Sequence, residues 1–187
     1  MSLRRGFKKE ANEIALEIRV ELGLGPKAPL DPLKLAEHLL ISLIPLSSLE
    51  QDAPEAFRRL TGFANSVFSA VTVFRGIKRA IVYNDAHSPR RQASDIAHEL
   101  AHALLLHPPK PSLKFGTRDW NSEEEAEAGW VAGALLIPDE AAFRIAESAQ
   151  STALAAEEYG VSEQMIVFRL KVTAARIRVE RAQRYFH

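Results

Sequence analysis

Apolar residues recur at helical spacing near the start of the chain. Phe7, Ala11, Ile14, Ile18 and Leu22 fall three or four positions apart, with Lys8, Lys9, Glu10, Glu13 and Glu17 between them. That pattern predicts an amphipathic helix over residues 4–22, ended by Gly23 and Gly25. Asp31-Pro32 then supplies an N-cap and a first-turn proline for a short helix over 33–40. Three stretches rich in β-branched and aromatic residues, 41–46, 67–74 and 79–83, predict strands. The last two are close enough to form a hairpin through residues 75–78. The intervening segment, 47–64, is mixed and predicts no element.

From residue 91 to 106 the pattern changes to a helix that is apolar over most of its surface. Ile96, Ala97, Leu100, Ala101, Ala103, Leu104, Leu105 and Leu106 leave few positions for solvent, so this helix belongs in the interior. Pro108, Pro109 and Pro111 end it. Ser122 is the expected cap of the next helix, with Glu125 at the capping-box position, and the helix runs to Pro138. The rest reads as helical. One or two helices cover 141–159, Gly160 breaks them, and Ser162 caps a final helix with an inner stripe of Ile166, Leu170, Thr173 and Ile177. There is no internal repeat. The fold class expected is α+β, with residues 1–138 forming the main domain and 139–187 a helical extension packed on it.

Composition narrows the chemistry. The 187 residues suit one compact unit, and 47% hydrophobic with 26% charged residues is ordinary for a globular protein. Net charge is zero, which argues against direct nucleic-acid binding. Arg169, Lys171, Arg176, Arg178, Arg181 and Arg184 read as a solvated basic face. The absence of cysteine excludes disulfides, thiolate-held zinc and a cysteine nucleophile. The opening residues do not read as a secretory signal, and no apolar window is long enough for a membrane span, so a cytoplasmic protein is expected.

The chemistry concentrates at His98-Glu99-Leu100-Ala101-His102. Histidines four apart on a helix point the same way and can hold one ion. Glu99 is displaced by about 100° round the axis, so it can flank a metal without ligating it and act as the general base. With no thiolate available, zinc suits imidazole and carboxylate donors and needs a third one. Glu127 borders the apolar side of the following helix and is the expected third ligand, with Glu123 and Glu124 as alternatives; Glu125 reads as facing away. Other polar candidates carry less. Asp95 is a first-turn carboxylate able to orient an imidazole, His107 a surface or capping group, and His38 and His87 have no partner pattern. Tyr83 and Tyr159 are conceivable oxyanion donors, and Trp120 and Trp130 read as packing residues.

Several segments together resemble the ImmA/IrrE-type metallopeptidases. They are Asp31 to Glu37, Ile81-Val82-Tyr83-Asn84, Ile96 to His102 with Leu104 to His107 behind it, and Glu125-Ala126-Glu127-Ala128 leading to Leu135-Leu136-Ile137-Pro138. Tyr159 to Glu163 and Arg169-Leu170 extend the likeness to about residue 172. The sequence departs from the family's usual residues at Ala93-Ser94-Asp95, at Ala101 and at Gly129, while its ligand positions are intact. The resemblance implies a gluzincin-like domain with a small sheet over the active-site helix. It places the metal ligands on His98, His102 and Glu127, and the catalytic role on Glu99. It further implies a regulatory zinc endopeptidase whose partner is a helix-turn-helix repressor. The alternative is a non-enzymatic, zinc-stabilised regulator that binds a repressor or another protein.

Overall fold

The N-terminal apolar stripe folds as a helix on the core. In the computed structural model, which describes residues 3–61, 68–108 and 121–185, helix α1 spans Phe7–Glu21 and buries Phe7, Ala11, Ala15 and Ile18. Helix α2 (Pro32–His38) starts at the expected cap: the Asp31 side chain accepts the Leu33 N–H at 2.9 Å. The strands are β1 (Ser42–Pro45), β2 (Ala70–Arg75) and β3 (Lys78–Tyr83), in the order β1-β3-β2. β1 runs parallel to β3, and β2 pairs antiparallel with it through a turn at Gly76-Ile77, where Gly76 has φ +62°. The expected start of the second strand, Val67, lies outside the described residues. The mixed segment holds a 3-10 turn at Leu46–Leu49 and helix α3 (Pro54–Thr61).

Helix α4 (Pro89–Leu104) packs on β2 and β3 with one face and on α5 (Ser122–Leu136) with another. Ile96, Ala97, Leu100 and Ala101 are buried between these neighbours. Helices α6 (Asp139–Glu147), α7 (Thr152–Glu158), α8 (Glu163–Val172) and α9 (Ala175–Tyr185) complete a mixed α+β fold that is mostly helical, including its C-terminal part. Ser162 caps α8 as expected, accepting the Met165 N–H. The single final helix does not form. Thr173 ends α8 with its hydroxyl on the Arg169 carbonyl at 2.7 Å, and Ala174 turns left-handed at φ +51°. That turn swings α9 onto α6 and leaves Ile177 exposed, while Ala175 and Val179 are buried instead. One hydrophobic cluster runs from Phe7 to Ala175, continuous across Pro138. Among the described residues, no helix is long and apolar enough to cross a membrane.

Two buried cations hold the C-terminal end of α5. The last carbonyls of a helix lack partners within it, and Pro138 offers no N–H to them. Arg19, on α1, donates to the Leu135 carbonyl at 2.8 Å and also to the carbonyls of Ala15 and Ala28. Arg169, on α8, donates to the Ile137 carbonyl at 2.7 Å and to Asp139 at 3.1 Å. Burial pushes the Arg19 pKa down to about 10, which still leaves it charged at neutral pH. Replacing Arg19 with Met keeps the stem but strands the Leu135 and Ala28 carbonyls. R19M is expected to lower the unfolding free energy by about 2–4 kcal/mol. The check is the midpoint of urea denaturation at unchanged slope.

Candidate metal centre

His98 and His102 lie one turn apart on α4, and the side chain that meets them comes from the first turn of α5. His98 Nε2 is 3.1 Å from Glu125 Oε2, His102 Nε2 is 3.6 Å from Glu125 Oε1, and the two Nε2 atoms are 3.2 Å apart. Three donor atoms, one from each residue, lie within 4.8 Å of one another. A tetrahedral ion with bonds of about 2.0–2.2 Å requires donors roughly 3.3–3.6 Å apart. The three side chains therefore converge at the spacing that a small divalent ion needs. Two imidazoles and one carboxylate are an N/O donor set suited to zinc, and three protein donors leave a fourth position open.

The carboxylate that meets the two histidines is that of Glu125, whereas the expected ligand, Glu127, faces Arg4 and His107. The reason is the packing of α5. Glu125 falls three, seven and ten positions before Ala128, Ala132 and Leu135, so it continues the buried stripe that meets α4. Glu127 lies about 200° round the helix from it and turns toward α1, where its Oε1 accepts from Arg4 Nε at 3.1 Å. Because α5 is packed on both α4 and α1, it has two inner faces, and Glu125 and Glu127 lie on different ones. The cap also differs by one residue. Asn121 is the N-cap, its side chain accepting the Glu123 N–H, so Ser122 opens the helix. Glu125 is thus not drawn back to the backbone as a capping box would draw it, and it reaches across to α4. Neither Glu123 nor Glu124 joins the cluster.

Glu99 is buried on the side of α4 that meets the sheet. Its Oε2 accepts a hydrogen bond from the Thr72 hydroxyl at 2.7 Å, so edge strand β2 fixes its orientation. His107 is not a surface group. The chain folds back after α4 through Leu106, at φ +54°, with the His107 N–H bonded to the His102 carbonyl. This places His107 Nδ1 2.8 Å from His102 Nδ1. The sequence signal was a histidine just beyond the last turn of the helix, at a point where a Schellman-type turn returns the chain to it.

The remaining candidates have structural partners. Asp95 Oδ2 lies 3.2 Å from His87 Nδ1, and the Asn84 amide lies 3.2 Å from His87 Nε2. Asp95 therefore orients His87 rather than a histidine of the cluster. His38 pairs with Glu21 at 2.8 Å. The Tyr159 hydroxyl donates to the Lys27 carbonyl and accepts from Arg144. Burial raises its pKa, against the pull of Arg144, so it serves as a neutral structural donor. Tyr83 ends β3, half-buried against the core. Trp130 packs edge-on against Phe168, and Trp120 lies outside the described residues.

A mixed α+β fold with a histidine pair on its central helix, and a carboxylate facing it from the next helix, defines a domain built around a candidate metal-binding triad. The chain belongs to the Peptidase_M78 family, the IrrE N-terminal-like domain, whose model matches residues 56–171. No curated protein matches the chain. Among solved structures, it is similar in fold to a Mycobacterium tuberculosis transcriptional regulator, at 15% sequence identity and a TM-score of 0.50. The match covers 90% of this chain and 47% of that one, so the chain spans about half the length of that protein.

The geometry predicts one divalent ion per chain. Glu125→Ala is expected to weaken binding by more than the roughly 100-fold that loss of a merely supporting residue brings, and Glu127→Ala by less than that. Competition with a chromophoric chelator measures both, and the reverse order would return the third donor to Glu127.

Proposed function

We propose that this chain is a zinc-dependent endopeptidase with a regulatory role, whose substrate is a helix-turn-helix repressor. The observation that carries the reading is the convergence of His98, His102 and Glu125 beside a buried, hydrogen-bonded Glu99. Zinc held by those three donors would supply a Lewis acid that polarises the scissile carbonyl and acidifies a water. Glu99 follows His98 directly, so its carboxylate flanks the donor set without being part of it. With Oε2 engaged by Thr72, Oε1 is left to take the proton of the attacking water and pass it to the leaving amine.

Strand β2 lies at one edge of the sheet and touches Glu99 through Thr72. An extended peptide that paired with this edge would pass the general base with its backbone held straight, as strand addition holds it. Side chains alternate along β2, so Ala70, Thr72 and Phe74 share the face toward α4. A repressor as substrate is supported by family membership, and the structural relative described as a transcriptional regulator agrees with it in kind.

Glu99→Gln keeps the shape of the side chain and removes its basicity. The expected result is a cleavage rate lower by about 10²–10⁴-fold, with zinc content unchanged. Electrophoresis of a candidate repressor incubated with each purified protein reads the rate, beside zinc analysis of both. Undiminished cleavage by E99Q would remove Glu99 from the mechanism. Tight repressor binding by the zinc-loaded wild type without cleavage would favour the non-enzymatic regulator.

A further inference from the structure

Behind the metal donors lies a second line of polar groups that leads away from them toward the N-terminus. His102 presents Nε2 to His98 and Glu125, and Nδ1 to His107 at 2.8 Å. On the far side of His107, Nε2 faces Glu127 Oε2 at 3.6 Å. Glu127 is held in turn by Arg4 Nε at 3.1 Å, and Arg4 also pairs with Glu10 on α1 at 2.6 Å. The side chain of His107 is 9% exposed and that of His102 is 13% exposed, so water does not readily replace these contacts.

We propose that His107, steadied by Glu127 and Arg4, is a positioning residue that fixes the tautomer and ring orientation of His102. The inference rests on the metal-site reading above and assigns a role to two residues outside the donor set. The proton order follows from the connectivity. Two imidazole nitrogens 2.8 Å apart share one hydrogen, so one donates and the other accepts. For His102 Nε2 to offer a lone pair, its proton must sit on Nδ1 and be donated to His107 Nδ1. His107 then carries its own proton on Nε2, the atom that faces the Glu127 carboxylate. Each group in the line has one consistent role, ending at an always-charged guanidinium. His107 is not a fourth donor to the same ion, because it meets the opposite ring nitrogen of His102.

This arrangement also gives Glu127 a function. A carboxylate facing a ligand imidazole commonly supports it directly; here a second imidazole is interposed. The line ties the metal site to α1, since Arg4 lies just before that helix and stacks on the ring of Phe7 at 4.8 Å.

The test uses the full chain with His107→Phe, His107→Gln, Glu127→Ala and the H107F/E127A pair. Two readouts are needed. The first is the histidine tautomer in metal-free protein, from long-range proton–nitrogen correlation spectra; the second is zinc affinity by chelator competition. Wild-type His102 should be protonated on Nδ1, and H107F should lose that preference. Zinc affinity should fall by about 10–100-fold in H107F and recover to within a few-fold of wild type in H107Q, which restores an acceptor. E127A should fall less, and the double variant should be no worse than H107F. Unchanged tautomer and affinity in a folded H107F would overturn the proposal, as would effects of H107F and E127A that simply multiply. If circular dichroism shows H107F unfolded, E127A decides: affinity weakened by less than about 100-fold upholds the relay, and unchanged affinity, or a loss as large as that of E125A, overturns it. A wild type that takes no zinc would defeat the metal reading, while the tautomer spectra would still judge the relay.

Discussion

Two buried guanidiniums grip the C-terminal end of α5, and that grip sets where Glu125 stands along α4. Leu135, whose carbonyl meets Arg19, lies ten residues after Glu125, about 15 Å along a helix rising 1.5 Å per residue. A slip of even one residue would move the carboxylate by about 1.5 Å and rotate it by about 100°. Donor separations of 3.1–3.6 Å do not survive such a change. The geometry at one end of the helix thus depends on the anchoring at the other, because a helix transmits position almost rigidly.

The same anchors arrange charge along α5. Its first turn carries Glu123, Glu124 and Glu125, where the positive end of the helix dipole favours carboxylates. Its last carbonyls, at the negative end, receive Arg19 and Arg169. Burying a guanidinium costs several kcal/mol, so these contacts need not add much net stability. Their effect is selective. Any register that separated Arg19 from the Leu135 and Ala28 carbonyls would leave a buried cation and its acceptors unsatisfied together. The penalty falls on the wrong arrangements, which is how a marginally favourable contact enforces a precise one.

This division explains what could be read from the chain and what could not. The helix over Phe7–Glu21, the Asp31 and Ser162 caps and the β2–β3 hairpin all follow from local spacing and cap chemistry. His98 and His102 were legible because both lie on one helix, four positions apart. The approach of Glu125 to them was not, because it depends on which face of α5 meets α4, and α5 is covered on two sides. The cap also shifts by one residue, from Ser122 to Asn121, which takes Glu125 out of the capping-box position. His107 was hidden behind a left-handed Leu106, a conformation that leucine gives little reason to expect. The break at Ala174 was missed for the same reason.

The segment that defines the family, residues 56–171, is narrower than the unit that builds the site. Arg4 and Arg19 both precede it, yet one reaches Glu127 and the other caps α5. α2 and β1 also precede it; α2 packs against α4, and β1 completes the sheet beneath that helix. Downstream of it, Val172 to Tyr185 adds Arg178, which reaches Asp139 at 3.8 Å and so joins the ion pair that holds Arg169. The family segment carries the candidate metal triad and Glu99, whereas the flanking helices fix the register in which those groups meet. These contacts therefore make the structural unit around the candidate triad the larger assembly from α1 to α9. In that assembly the N-terminal segment, through Arg4 and Glu10, reaches the surroundings of the candidate metal triad as well as the scaffold.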